Sequence, residues 1–193
     1  MANFYIADPH LEHANVIRFD GRPFATTDEM REDFLHKWNS RLTPQDTGYI
    51  LGDFSWQTSS GWIPVLQSMV GRKVLIRGNH DPKHIDGKLA KLFDDVKDYK
   101  EILDNGRRVC LCHFPHMFYH HSHDPNTYML CGHVHTTAEN EYLEKWRSEL
   151  HRNRVLTGTG NCGNIINVGC MMPYMNNTPR TLDELIEGVG WRA

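Results

Sequence analysis

Five times in this chain a short apolar run ends abruptly in Asp, Asn or His. Residues 3–7 run into Asp8-Pro9-His10, and residues 48–51 into Gly52-Asp53. Residues 73–77 run into Gly78-Asn79-His80-Asp81, residues 107–112 into His113, and residues 128–131 into Gly132-His133-Val134-His135. Each run reads as a strand, and strand ends are where open α/β sheets place their sites. If the strands share a sheet or a pair of packed sheets, the five ends converge on one edge. That constrains the fold more than any other feature of the chain. Gly78-Asn79-His80-Asp81 is its centre, with a glycine that permits a sharp bend ahead of an amide, an imidazole and a carboxylate. Taken alone, the tetrapeptide is also an ordinary turn, because Asn, Gly and Asp all favour turns.

A length of 193 residues suits one domain, residues 1–193, with enough apolar content for a real core. The formal net charge of -3 argues against a surface that coats nucleic acid, leaving only a local basic patch open. No apolar run is long enough to span a membrane. Residues 1–5 lack the charged and apolar regions of a signal peptide and enter a strand directly, so a cytoplasmic location is the expectation. Five cysteines without a secretion signal disfavour a disulfide framework. Cys110 and Cys112 share one face of a strand, and buried thiols are expected there, with a structural zinc site as the minor alternative. The thirteen histidines are the compositional surprise, many of them at strand ends or in short polar turns.

Between the strands, Thr26-Thr27-Asp28-Glu29 resembles a capping box, and Met30, Phe34, Leu35, Trp38 and Leu42 follow at helical spacing as a core stripe. Helices are expected over 62–69, with Pro64 in the first turn, and over 88–93, 139–150 and 182–189. Asn105-Gly106 predicts a hairpin between strands 96–103 and 107–112, and a last strand is expected over 165–168. The class is α/β, though not βαβ throughout.

The combined donor set is Asp and Asn oxygen with His nitrogen and no required sulfur. It suits Mn²⁺, Fe, Zn²⁺ or a mixture and suits Ca²⁺ poorly. It exceeds the need of one four-coordinate zinc, whereas two ions sharing a bridging carboxylate would use it all. Each cluster has a bland reading by itself: Asp53 as a turn residue, Asp8 as a helix cap, His133 and His135 as exposed neighbours on one side of an extended segment. Chance is a poor account of the same pattern five times in one small domain.

Asp-x-His, Gly-Asp, Gly-Asn-His-Asp, a lone His before an apolar residue and Gly-His-x-His, in that order, resemble the calcineurin-like metallophosphoesterases. The resemblance runs from about Phe4 to Leu185. The segment 10–15, Arg22-Pro23-Phe24 and the segment 50–54 are similar to small bacterial and phage members. The resemblance implies a two-sheet β-sandwich flanked by helices in α/β/β/α layers, with two divalent metal ions at the strand ends. By motif, Asp8, His10 and His135 would hold one ion, Asn79, His113 and His133 the second, and Asp53 would bridge them. His80 would be the general acid and Asp81 its orienter. The implied activity is hydrolysis of a phosphate mono- or diester by a metal-bridging hydroxide, with Mn²⁺ expected to support it in vitro. Where many members carry glycine this chain has Glu12, so either the turn differs or Glu12 points outward.

Around that core, His13 and Asn15 are expected near the substrate, and Arg77 stands evenly between phosphate contact and surface charge. Arg18 and Arg22 are expected as solvated charge. His116, His120, His121 and His123 are read as an exposed flexible loop. Trp56 and Tyr119 are read as packing, with base stacking as the alternative. Two competing readings are a non-catalytic scaffold of the same fold, which would need neither ligands nor His80, and a nuclease, which the acidic balance disfavours. A small-molecule phosphate ester is the expected partner. The oligomeric state is not legible.

Overall fold

Parallel strands buried on both faces need apolar runs; residues 4–6, 49–50 and 74–76 supply them in the first three strands, and the fourth is a short, partly exposed edge. The computed structural model describes residues 1–85 and 87–190. In it β1 (Asn3–Ile6), β2 (Thr47–Ile50), β3 (Arg72–Ile76) and β4 (Asp95–Lys97) pair in that order, all parallel. The second sheet orders β5 (Tyr99–Asp104), β6 (Arg107–Cys112), β7 (Thr127–Cys131) and β8 (Ile165–Asn167). Here β5 and β6 form the antiparallel hairpin across Asn105-Gly106, while β6, β7 and β8 run parallel. The protein is thus α/β with two four-stranded sheets flanked by helices.

The expected strand 96–103 is two strands in different sheets. Arg77 explains the break: its guanidinium grips both oxygens of Asp98 at 2.8 Å while its N–H bonds the Lys97 carbonyl. Asp98 is the residue at which the chain leaves the first sheet for the second. The two sheets meet again at Ala7, which donates to the Val168 carbonyl and accepts from Cys170 N–H.

Alternation along the second sheet separates two cores. Val109, Leu111, Leu130 and Ile166 join the large cluster with Ile6, Ile50 and Leu75 of the first sheet. Cys110, Cys112, Met129, Cys131 and Ile165 point the other way, onto Leu143 and Trp146 of α5 (Ala138–Thr157). All five thiols are buried and free, so they serve as small hydrophobes.

After the short α1 (Ala14–Phe19), α2 (Thr27–Arg41) lies on the first sheet through buried Met30, Phe34 and Trp38. Thr26 caps it as expected, but Glu29 reaches the Ala25 N–H and not that of Thr26, so the box is displaced by one residue. Trp38 presses on β2 so closely that a Cβ on Gly48 would lie 2.1 Å from its Cη2. α3 (Ser59–Ser68) begins before residue 62, which puts Pro64 inside the helix and beyond the first turn. α4 (Gly87–Ala90) is shorter than expected. α5 runs past residue 150, because no breaker occurs before Gly158, whose φ of 71° ends it. α6 (Leu182–Gly188) opens with a complete capping box between Thr181 and Glu184. No helix among the described residues is long and apolar enough to cross a membrane.

Candidate metal centre

The C-terminal ends of β1, β2, β3, β6 and β7 all lie on one side of the two sheets and bring Asp and His side chains together. Two groups result, Asp8 with His10 and His135, and Asp53 with His113 and His133. Within each, one ligand atom per residue lies within 4.8 Å of the others. Asn79 adds an amide oxygen, 3.0 Å from His113 Nε2.

Asp53 links the groups. Its Oδ1 accepts the His80 N–H at 2.9 Å, while its Oδ2 stands 3.5 Å from His10 Nε2 and 3.4 Å from His113 Nε2. The bonds on the far sides of two imidazoles fix which nitrogen faces inward. His113 Nδ1 lies 2.9 Å from the Leu51 carbonyl, which can only accept, so Nδ1 carries the hydrogen and Nε2 presents a lone pair. His135 Nδ1 likewise donates to Asp20 Oδ1 at 2.8 Å. Its Nε2 then faces His10 Nε2 at 3.2 Å. Backbone N–H groups of His80 and His133 reach the Asp53 and Asp8 carboxylates, but Asp53 Oδ2 and the inward nitrogens of His10 and His135 crowd together, an arrangement that a proton or a cation relieves. Histidine and carboxylate ligands oriented by outer hydrogen bonds are the usual dress of a metal site. His10 departs from it: its Nδ1 is buried with no partner.

The electrostatics carry the same tension. Burial pushes Asp8 up to about 6, against the pull of His113 and His135. Burial drives His10 down to about 3. For His113 burial is outweighed by the bond to Asp53 and the charges of Asp8 and Asp53, which raise it to about 9. Burial would raise Asp53 too, but His113 and the His80 N–H hold it at about 2.

Backbone strain concentrates here. Asp8, His10, Asp53, His133 and His135 all have φ between 46° and 69°, a region that non-glycine residues enter at a cost. Close approach, and not a bend, explains the glycine of the tetrapeptide: Gly78 has no positive φ, but a Cβ there would sit 2.2 Å from Asp53 Oδ1. A Cβ on Gly132 would likewise meet Asp8 Oδ2 at 2.4 Å. Glu12 also has a positive φ, 65°, the backbone region that favours glycine, and its carboxylate pairs with Arg31, which draws the side chain onto α2 with 17% of it exposed.

The remaining expected residues sort as follows. His80 is exposed at the rim, its ring 5.7 Å from that of His10. Asp81 does not touch the His80 ring. Its two oxygens accept from Gly78, Asp53 and Phe54 N–H at 2.8, 3.0 and 2.9 Å, so it ties the ends of β2 and β3 together and reaches His80 only through the backbone. His13 stands at the rim, 5.8 Å ring to ring from His10. Asn15 is exposed and accepts from Arg18. Arg77 is held by Asp98 and the Lys83 carbonyl, which makes it a clamp between the strand ends. The histidine loop 114–125 is pinned more than expected, with His120 on Glu101 and His116 stacked on Tyr99, and it adds no third ligand group among the described residues. Tyr119 is core. A cavity of about 750 Å³ beside α5, lined by Arg147, His151 and Arg154, shares no residue with the two groups.

No family model matches the chain. It is 32% identical over 141 residues to Uncharacterized protein MJ1445 of Methanocaldococcus jannaschii, covering 72% of each chain. The chain belongs to the MJ1445 family. It is also similar to the Gene 66 proteins of two Mycobacterium phages. The D29 protein is 29% identical, covering 69% of this chain and 78% of the phage protein. The L5 protein is 28% identical, covering 84% and 88%. The crystal structure of the protein of unknown function AQ665 from Aquifex aeolicus shares the fold, with a TM-score of 0.66 at 24% identity over 96% of this chain and 98% of that one.

In this member of the MJ1445 family, Asp20 and Arg22 support the centre from behind. Arg22 is buried, contrary to its expected place on the surface. Its guanidinium donates to the Pro9 carbonyl at 2.7 Å, the Asp8 carbonyl at 2.9 Å and Asp20 Oδ2 at 2.8 Å. Asp20 passes that anchoring to His135. The signal for the pair was the Asp-Gly-Arg spacing, which lets two opposite charges meet across a turn. Nothing local to it shows that the turn folds back under Asp8.

Proposed function

We propose that this protein is a dinuclear, metal-dependent phosphoesterase of the calcineurin-like metallophosphoesterase family. One observation carries the reading: two Asp/His groups with Asp53 Oδ2 between them, their lone pairs turned toward each other. Asp8, His10 and His135 hold one divalent ion. Asn79, His113 and His133 hold the other, with Asp53 shared. Mn²⁺, Fe and Zn²⁺ suit the oxygen and imidazole donors. A pair of such ions polarises phosphate oxygens and lowers the pKa of bound water toward neutrality.

The chain's own residues do the rest. Two carboxylates among neutral imidazoles and an amide leave net positive charge for a phosphate to meet. Asp53 Oδ1 holds the His80 backbone, and the exposed imidazole, 5.7 Å ring to ring from His10, is the group within reach of the leaving oxygen. As water adds through its oxygen to phosphorus and releases a proton to solvent, the bond to the leaving alcohol breaks, and its oxygen keeps the electron pair and takes a proton from His80.

Bis(p-nitrophenyl) phosphate is therefore hydrolysed with Mn²⁺ and not after chelation. Absence of turnover with every divalent metal, on protein shown to be metal-free beforehand, would sink the reading. His80→Ala lowers turnover by about 10²–10⁴-fold and keeps its metal. Asp53→Asn loses both ions.

A further inference from the structure

Two exposed aromatic rings flank the site, one against the rim imidazoles His13 and His80 and the other against His113 and His133 of the Asp53 group. Trp56 is 51% exposed, with its ring 4.8 Å from His80 and 4.1 Å from His13. Phe114 is 43% exposed, 4.4 Å from the His133 ring and 5.1 Å from that of His113. Single exposed apolar side chains are ordinary. These two differ because each touches imidazoles of the site, whereas exposed Phe118 packs on Trp146 and Tyr142 lies under Lys145 of the same helix. The chain that carries each ring is anchored beside the site. The Trp56 backbone N–H donates to the Leu11 carbonyl at 2.8 Å, tying that stretch to the loop that carries His10. Phe114 directly follows His113 at the end of β6.

We infer that Trp56 and Phe114 are stacking platforms on the two sides of the reacting phosphorus, and that the substrate is a phosphodiester bearing a planar ring on each arm, of the dinucleoside class. The inference rests on the phosphoesterase reading and deepens it from ester to diester. Rings stack on exposed aromatic faces with little regard to sequence, and losing one platform costs roughly 5- to 150-fold in affinity. The net charge of -3 favours a short diester over a long polyanion.

The test compares a dinucleoside monophosphate, ApA, with bis-glycerol phosphate on the Mn²⁺-loaded full chain, read as the ratio of the two kcat/KM values. Trp56→Ala and Phe114→Leu each lower that ratio about tenfold at unchanged metal content, and Trp56→Phe, which keeps a ring, restores most of it. A ratio within twofold of the parent in either of the first two variants overturns the inference and leaves the hydrolytic reading standing. ApA also quenches the intrinsic fluorescence of the parent and not that of Trp56→Phe. That quenching, in a protein that hydrolyses neither ester, would uphold the platforms and remove the phosphoesterase reading.

Discussion

Asp81 and His80 are neighbours with opposite duties. Asp81 is buried and accepts three backbone N–H groups from two loops, while His80 is exposed. Hydrogen bonds to a charged acceptor contribute about 1.5–3 kcal/mol each, so Asp81→Asn, which turns donors toward donors, lowers stability by at least about 2 kcal/mol in urea titration. His80→Ala, at the surface, stays within about 0.5 kcal/mol in the same titration. Equal effects from the two would remove the structural role given to Asp81. Asp20 acts one step further out. Asp20→Asn weakens the hold on His135, and Mn²⁺ affinity at the Asp8 group falls about 10–100-fold by calorimetry, with the Asp53 group unchanged. At this scale the two candidate ligand groups were legible, because Asp and His beside glycine at strand ends is a local pattern. Asp20 and Arg22 were not, because their partners are the carbonyls of Asp8 and Pro9 and the ring of His135, known only once the chain has folded back.

Elements follow from shorter-range physics, and the departures have physical causes. The stripe through Met30, Phe34 and Trp38 predicted α2 and its buried face correctly, since period and burial are the same fact on a helix. The strand expected over 96–103 divided at Asp98, because the Arg77 clamp outweighs local strand propensity. Helix meets sheet with no room for a methyl where Trp38 crosses Gly48. Gly48→Ala puts a methyl where the indole already lies, and overpacking of this kind costs about 1–3 kcal/mol, read as a lower urea midpoint at unchanged slope. A midpoint equal to the parent's would mean that α2 can move off the sheet freely.

The whole molecule gathers five strand ends from two sheets at one place, and folding there brings acceptors together that water would otherwise separate. In the metal-free protein His113 is raised from 6.5 to about 9, so its proton stabilises the fold below pH 6.5 and that stability is lost as pH rises through 9. Bound metal takes the place of that proton, and its stabilisation follows its affinity. The gap in Tm between Mn²⁺-loaded and EDTA-treated protein therefore widens between pH 6.5 and 9, and a gap that is flat or narrows across that range contradicts the role of His113. The sequence by itself determined the ligand types, their order and their places at strand ends, because a strand end and its next few residues are a local matter of hydrophobic pattern, glycine and turn chemistry. Only the tertiary structure decided that Asp53 Oδ2 lies between the two groups, that Arg22 and Asp20 brace them from beneath, and that Gly78 is glycine for closeness and not for its bend. Those are distances between atoms far apart in the chain, and they are fixed by how the two sheets pack.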